Sequence, residues 1–130
     1  MIQRLAPEPR LSGAVVHNTT VYLAGQVPDD PSGDAEAQTA DILRQIDGLL
    51  SRAGTSKAYL LTVQVFLADM ADYPAMNRAW DAWLDPRHKP ARLTVQAVLA
   101  DPAWRVEITG IAALPPVLPR PAQPNESQWA

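Results

Sequence analysis

The chain has 130 residues, of which 47% are hydrophobic and 19% are charged, and it contains no cysteine. This length and composition predict one globular domain with a hydrophobic core rather than a disordered chain. The net charge of −3 argues against sequence-independent binding to nucleic acid, which needs a basic surface. The lack of cysteine excludes disulfides, thiolate zinc sites and cysteine nucleophiles.

The N-terminus, MIQRLAPEPR, has no apolar stretch of the kind that a signal peptide carries. No apolar run in the chain approaches the ~18 residues that a membrane-spanning helix requires. We therefore expect a cytoplasmic protein that does not associate with membranes. Pro7 and Pro9 predict that residues 1–10 form an extended lead-in to the first strand.

A first hairpin is predicted near the N-terminus. Residues 14–17 form one short strand, residues 18–20 a turn, and residues 21–26 the returning strand. Tyr22 lies in the middle of the returning strand, where it is a core residue or a side chain whose hydroxyl reaches a pocket. Gly25 marks either a bulge or a place where a ligand approaches the backbone.

The next element is an amphipathic helix. Asp34 is the expected N-cap, and Gly54 is the natural residue after the C-terminus, about five turns later. The residues of the predicted buried face recur at helical spacing: Thr39, Ile42, Leu43, Ile46, Leu49, Leu50 and Ala53.

Residues 58–68 predict a strand with one apolar face and one mixed face, both of which we expect to be covered. Residues 73–84 predict a second helix capped by Asp72. One face of the strand is expected to contain Leu61, Val63, Val65 and Leu67, and the buried stripe of the helix to contain Tyr73, Met76, Trp80, Trp83 and Leu84. A strand covered on both faces suggests that helices pack on one side and another subunit on the other. Asn77 of the helix either faces solvent or bonds to the loop that carries Arg92.

Two further strands are predicted in residues 90–113, where apolar and polar residues alternate. Residues 100–103, Ala-Asp-Pro-Ala, supply a tight turn that would join them as a hairpin. In that hairpin Arg92 and Glu107 are offset by ~10 Å along the strands, at ~3.3 Å per residue. Such an offset suits two groups that grip opposite ends of a small molecule.

Arg92 and Glu107 place charged side chains within these two predicted strands. A guanidinium can donate two parallel N–H bonds to a planar carboxylate, although an arginine at the surface or in an ion pair is as common. A carboxylate in a covered strand can orient water or carry a proton, although a strand glutamate usually lies on a solvated face. His17 and His88 are too few and too scattered for a metal site, so none is expected.

The predicted order of elements is β-β-α-β-α-β-β, an α+β fold in which two helices cover one face of a mixed sheet. Residues 1–114 would form the single domain. Residues 115–130 are rich in proline and are expected to form an extended or mobile tail, from which Trp129 could dock on a surface.

Four segments, taken in their order along the chain, carry recognisable motifs: VYLAGQVP (21–28), QTADILRQIDGLLSRAG (38–54), VQVFLADMADYPAMNRAWDAWL (63–84) and PARLTVQAVLADPAWRVEITGIAA (90–113). Together they resemble the YjgF/RidA family of small imine deaminases. The resemblance covers residues 11–114. Each motif is weak by itself, whereas the ordered set is specific.

The resemblance implies a chorismate-mutase-like fold and a homotrimer with a central barrel and sites between subunits. It also implies hydrolysis of 2-imino acids, or of their 2-aminoacrylate tautomers, to 2-keto acids and ammonia without a cofactor. By this resemblance Arg92 matches the arginine that binds the substrate carboxylate, and Glu107 the glutamate that positions water. Asn77 matches a helix asparagine near the site, and Thr94 a residue whose backbone contacts substrate.

Two positions depart from the family's pattern. Leu11 stands where members with deaminase activity carry tyrosine, and Ala24 where they often carry serine. These changes leave a second interpretation open, in which a trimer binds a small carboxylate or a protein partner without turnover. Cleavage of nucleic acid, sometimes suggested for the family, is disfavoured by the acidic balance of the chain.

Overall fold

The structure is a computed structural model that describes residues 1–116. Its strands are β1 (Ile2–Pro7), β2 (Ser12–His17), β3 (Thr20–Leu23), β4 (Leu60–Leu67), β5 (Ala91–Gln96) and β6 (Val106–Ala113). Its helices are α1 (Ala35–Ala53) and α2 (Tyr73–Trp83). The strands form one mixed sheet with the order β1-β2-β3-β6-β4-β5, and both helices cover the same face of it. The predicted α+β fold with two helices on a mixed sheet is confirmed.

The first helix begins and ends where the sequence predicts. The carboxylate of Asp34 accepts a hydrogen bond from the N–H of Ala37 at 2.9 Å, and Gly54 has a left-handed φ of 90°. The apolar face is buried against the sheet, except that Ala53 is half-buried. Each large apolar side chain that is buried in this way contributes about 1.5–3 kcal/mol to stability.

The second helix packs beside α1 and buries Met76, Ala79 and Trp80. The Nε1–H of Trp83 donates to Asp47 of α1 at 2.9 Å, which ties the two helices together. Tyr73, predicted within the buried stripe, is instead 37% exposed. Asp72 precedes the helix as predicted, but its side chain makes no capping bond and accepts from Arg105 at 3.2 Å.

Residues 1–10 contain a strand that the sequence analysis missed. Ile2–Pro7 forms β1, which pairs antiparallel with β2 at an edge of the sheet. Proline is tolerated on an edge strand, where one row of backbone groups has no partner strand. The order is therefore β-β-β-α-β-α-β-β, and the predicted first hairpin corresponds to β2 and β3.

The hairpin predicted for residues 90–113 is wrong. Strand β5 pairs in parallel with β4, and β6 pairs antiparallel with the other side of β4, so β4 lies between them. The predicted turn does form, because the N–H of Trp104 donates to the carbonyl of Asp101 at 3.1 Å. It belongs to a connection that crosses the end of β4.

Strand β4 begins with an irregularity that the alternation of its residues does not predict. A register shift between Leu60 and Thr62 buries Leu60 and leaves Leu61 53% exposed. The predicted placement of Leu61 on the buried face is wrong, because a bulge inverts the alternation of side chains. The other members of that face are buried: Val63, Val65 and Leu67.

The predicted tail falls largely on residues 117–130, which, with Trp129, lie outside the described residues. Neither helix within residues 1–116 combines the length and apolarity needed to cross a membrane. The same residues contain no cluster of three His, Asp or Glu side chains that could hold a metal ion.

Candidate functional site

Arg92 lies near the start of β5, and its side chain packs on α2 at the helix-covered face of the sheet. Its Nη2 donates to the hydroxyl of Tyr73 at 3.3 Å, and its Nη1 lies 3.9 Å from the Sδ of Met76. The guanidinium carbon is 5.0 Å from the ring centroid of Trp80 and 5.9 Å from that of Tyr73. A cation is attracted to an aromatic face at these distances, so α2 holds the guanidinium in place.

Arg92 is half-buried, and it forms no ion pair with an Asp or Glu among residues 1–116. Four other arginines do have such partners, in the pairs Arg44–Asp41, Arg78–Glu36, Arg87–Asp85 and Arg105–Asp72. A guanidinium has five N–H donors, and α2 supplies acceptors for two of them. The others are available to an external planar anion such as a carboxylate.

Thr94 lies on the same face as Arg92, because it pairs with the buried Val65. Its Oγ1 is enclosed and has no hydrogen-bond partner within residues 1–116. The N–H of Ala97 donates to Leu67 of β4 at 2.9 Å. Since backbone groups alternate in direction along a strand, the N–H and C=O of Thr94 point to the open edge of the sheet. A ligand therefore has access to the backbone of Thr94 at this edge, which is the contact that the family resemblance implies.

Asn77 lies on α2, four residues after Tyr73 and three before Trp80, and so shares their side of the helix. It is half-buried rather than fully solvent-facing. The side-chain hydrogen bonds of loop 85–90 in the described chain stay within that loop, and none reaches Asn77. The structure therefore places Asn77 near the Arg92 site without the loop contact that the sequence allowed.

Asp85 orders the loop that leads into β5. Its carboxylate accepts the N–H of Arg87 at 3.0 Å and contacts the Nδ1 of His88 at 2.9 Å. The hydrogen bond with His88, followed by that from the Arg87 backbone, lowers the pKa of Asp85 from 3.8 to about 2. This loop is thus fixed by local contacts just before the chain reaches Arg92.

Glu107 lies on the opposite face of the sheet. Its neighbours Val106 and Ile108 are fully buried, so alternation along the strand directs Glu107 to the bare face, the face of the sheet on which no helix of residues 1–116 packs. The carboxylate rests against Gly25, where an added Cβ would lie 2.6 Å from Oε2. Gln26 fixes this contact, since its backbone N–H and C=O bond to Ile108 at 2.7 and 3.0 Å.

Gly25 therefore leaves space that Glu107 occupies. The sequence predicts either a bulge at Gly25 or the approach of a ligand to its backbone, and the group that lies against it within residues 1–116 is the carboxylate of Glu107. Glu107 is half-buried and forms no ion pair within residues 1–116. Its charge is thus available to water or to another molecule.

Arg92 and Glu107 do not share a pocket within one chain. Val63 pairs with Arg92 on one side of β4, and Phe66 pairs with Glu107 on the other. Because residues 63 and 66 face opposite sides of the sheet, so do Arg92 and Glu107. Two strand spacings and three residues along the strand separate their backbones by about 14 Å. The predicted hairpin grip of both groups on one small molecule is wrong for a single chain.

Tyr22 lies on the bare face and is 45% exposed. It pairs with Ile111, four residues from Glu107 on β6, which corresponds to about 13 Å along the strand. A hollow of about 250 Å³ is lined by Tyr22, Gln64 and Thr109, among others, but not by Glu107. Tyr22 and Glu107 thus share a face of the sheet without being brought together.

The sequence pattern predicts that the α2 residues surrounding Arg92 belong to the core. Tyr73 and Trp80 are seven residues apart, which places them on one side of α2. That spacing is equally typical of a buried stripe, so it carried no signal of a cation site. A cation site becomes recognisable once the pairing of β5 with β4 brings Arg92 beside this helix.

The family model described as Endoribonuclease L-PSP matches residues 1–114. A RutC family protein of Haemophilus influenzae is 50% identical over 112 residues, which cover 85% of this chain and 97% of that protein. The chain belongs to the YjgF/RidA family. The resemblance drawn from the sequence motifs is thereby confirmed.

Two further relatives bear on the fold and the chemistry of this family. The crystal structure of NMB1025 from Neisseria meningitidis, a member of the YjgF protein family, has a TM-score of 0.87 at 43% identity and covers 90% of this chain and 98% of its own. A protein of Acinetobacter baylyi named 3-aminoacrylate deaminase RutC is 39% identical over 98 residues, which cover 71% of this chain and 77% of that protein. The family of this chain therefore includes a protein named as a deaminase.

Proposed function

We propose that this protein is a deaminase that hydrolyses small 2-imino acids, or their 2-aminoacrylate tautomers, to 2-keto acids and ammonia. The observation that carries the proposal is the half-buried guanidinium of Arg92, which α2 holds and which has no carboxylate partner within residues 1–116. The named deaminase among the relatives supports a reaction at a carbon–nitrogen bond of a small carboxylic acid.

In the proposed reaction Arg92 binds the substrate carboxylate and so fixes the position of the imine carbon. The oxygen of a water molecule bonds to that carbon while Glu107 accepts the water's proton. Glu107 passes this proton to the nitrogen, so that the C=N double bond becomes a C–N single bond and a carbinolamine forms. Glu107 then moves the proton of the new hydroxyl to the nitrogen, the carbon–nitrogen bond breaks, and ammonia leaves as the keto group forms. Since an imine carbon is already electrophilic, these steps require no nucleophilic side chain and no cofactor.

The proposed working unit is a homotrimer with sites between subunits. Because Arg92 and Glu107 lie on opposite faces of one sheet, a site that contains both must combine two chains. The bare face also presents apolar side chains that association would cover, among them Tyr22 at 45% and Leu93 at 53% exposure. Sedimentation equilibrium that gives the mass of one chain would overturn this part of the proposal.

A second candidate substrate is 3-aminoacrylate, which is favoured by the name of the relative that is 39% identical. Its nitrogen is on C3 rather than C2, so the same carboxylate contact would present a different carbon to the water. The rates on the two substrates therefore decide which carbon the site presents.

A role without catalysis is the alternative from another class. Arg92 is fully positioned without Glu107, as a carboxylate-binding module would require. Leu11 and Ala24, which depart from the family's pattern, also favour binding over turnover. In this alternative the protein would bind a 2-keto acid or similar metabolite, or a protein partner, and release it unchanged.

The test is ammonia release from 2-iminopropanoate, formed in solution by an amino-acid oxidase, with 3-aminoacrylate as a second substrate. We expect wild type to accelerate hydrolysis and Arg92→Ala to lose about a hundredfold in kcat/KM, because a charge-assisted bidentate pair is worth roughly 3 kcal/mol. Glu107→Gln should lose mainly kcat. The matched controls are Arg78→Ala and Glu36→Gln, which remove an exposed ion pair and should leave the rates unchanged.

Wild type that is no faster than buffer on either substrate would exclude the deaminase. Calorimetric binding of pyruvate by such an inactive protein, lost in Arg92→Ala, would instead support the role without catalysis.

We propose no nucleic-acid substrate, although the description of the family model names an endoribonuclease. The net charge is −3, and four arginines are already paired with carboxylates. Binding to phosphate backbones depends on free cationic side chains. A gel-shift titration with single-stranded RNA that gives salt-sensitive binding would contradict this statement.

A further inference from the structure

The hydroxyl of Tyr73 is positioned as part of the same anion site as Arg92. A guanidinium can donate hydrogen bonds but cannot accept them. In the 3.3 Å contact with Nη2 the phenolic oxygen is therefore the acceptor, and the phenolic proton remains free to donate elsewhere. A hydroxyl that accepts a hydrogen bond from a cation becomes a stronger hydrogen-bond donor, because consecutive hydrogen bonds polarise one another.

Tyr73 and Arg92 are both partly exposed to solvent. Of the three α2 side chains that touch Arg92, Met76 and Trp80 are 0% and 5% exposed, whereas Tyr73 is 37% exposed. An anion that arrives from solvent therefore meets Tyr73 and Arg92 together, with the buried pair behind them.

We propose that Tyr73 is a second donor to the ligand of Arg92: its O–H binds the ligand's carboxylate while its oxygen fixes the guanidinium. The identity of the ligand as a small 2-imino or 2-keto acid rests on the proposed function. The carboxylate-binding part of the site thus consists of a cation and a phenol from one chain, and it selects a planar anion with two oxygens over a single-oxygen acceptor.

The test is Tyr73→Phe, which keeps the aromatic ring near the guanidinium and removes the hydroxyl. The control is Tyr59→Phe, because Tyr59 is similarly exposed, at 39%, and lies in the turn before β4. We measure the Kd for pyruvate by calorimetry, and KM and kcat with 2-iminopropanoate. The Kd and KM should rise about tenfold in Tyr73→Phe, the effect of one hydrogen bond to a charged group, while kcat changes little.

A second pair of variants separates the hydroxyl from the packing of the ring. Tyr73→Gln supplies an N–H donor without a ring, and Tyr73→Leu supplies neither. Tighter pyruvate binding by the glutamine variant than by the leucine variant is expected, and equal binding by the two would assign Tyr73 a packing role and overturn the inference.

The calorimetry distinguishes failure of this inference from failure of the proposed function. Equal pyruvate affinity in wild type and Tyr73→Phe overturns the role of Tyr73 even if wild type hydrolyses imines. A tenfold weaker affinity in Tyr73→Phe supports it even if wild type shows no turnover, in which case the deaminase proposal fails alone. Wild type that binds no pyruvate overturns the shared site.

Discussion

The two faces of the sheet hold their charged groups in different ways. On the helix-covered face, Arg92 is fixed by a hydroxyl, a sulfur and an aromatic ring, all from α2. On the bare face, Glu107 lies against Gly25, and room for its carboxylate comes from the absence of a side chain. Contacts within one chain thus hold the proposed binding group, Arg92, in position. For the proposed catalytic group, Glu107, the chain provides space beside Gly25 but few contacts. Changes on the first face should therefore affect affinity, and changes on the second should affect rate.

The largest effect on stability is expected at Gln38, which bonds to the residues just before β6, the strand that contains Glu107. Gln38 is 1% exposed. Its Nε2, which has two N–H donors, lies within hydrogen-bond distance of the carbonyls of Pro31, Gly33 and Ala103, at 3.0, 3.2 and 3.0 Å, and its Oε1 accepts the N–H of Arg105 at 2.8 Å. Gln38→Leu would leave these backbone groups unpaired and should lower the free energy of unfolding by about 3 kcal/mol.

Urea unfolding measures this loss, with Gln45→Leu as the control on the same helix. Gln45 donates a single side-chain bond, to Val27 at 2.9 Å, so its loss should cost about 1 kcal/mol. Equal destabilisation by the two substitutions would show that Gln38 does not support β6 in the way its bonds suggest.

A smaller effect, confined to rate, is expected from Gly25→Ala. The new Cβ would lie 2.6 Å from the Oε2 of Glu107, so the carboxylate must move. Misplacement of a catalytic group by a fraction of an ångström should lower kcat on 2-iminopropanoate about tenfold. The KM should stay near that of wild type, because Arg92 is on the other face.

Gly48→Ala is the matched control, since an added Cβ there meets no atom within 4 Å. Gly48 lies inside α1, where alanine should raise the free energy of unfolding by about 0.5–1 kcal/mol without changing the rate. A rise in KM with unchanged kcat in Gly25→Ala would contradict the division of affinity and rate between the faces.

The smallest effect concerns the loop on the Arg92 side. Hydrogen bonding with His88 lowers the pKa of Asp85 from 3.8 to about 2. A carboxyl with a depressed pKa stabilises the fold above pH 3.8, and this contribution disappears as the pH falls to about 2. Asp85→Asn should therefore have a slightly lower Tm than wild type at pH 5 and the same Tm near pH 2. A difference that persists at pH 2 would have another origin than this carboxylate.

Local signals in the sequence were sufficient for the helices. The cap at Asp34, the left-handed Gly54 and the spacing of the apolar residues between them depend on neighbours within one helix. The missed strand β1 shows the limit of such signals, because Pro7 and Pro9 argue against a strand in general but not against an edge strand. Whether Ile2–Pro7 forms a strand depends on its pairing with β2, and the local composition of these residues does not indicate that pairing.

Pairing of the last two strands could not be obtained from alternation. A period of two identifies β5 and β6 as strands, but it does not name the partner of either. Arg92 does lie level with Gly110 of β6, but Val63 of the intervening β4 pairs with both and separates them. The face of each charged side chain depends on that intervening strand. For this reason the sequence identifies Arg92 and Glu107 as candidates, but it does not predict that they lie on opposite faces of the sheet.

The place of β6 in the sheet has a consequence for how the chain folds. Among residues 1–116 it is the last strand in chain order, yet it lies between β3 and β4 and joins β1-β2-β3 to β4-β5. A nascent chain on the ribosome can form both partial sheets, but it cannot unite them until residues 106–113 have emerged. Folding that depends on such distant contacts is slow, so the unjoined edges of β3 and β4 stay open to wrong partners until synthesis of the domain is nearly finished.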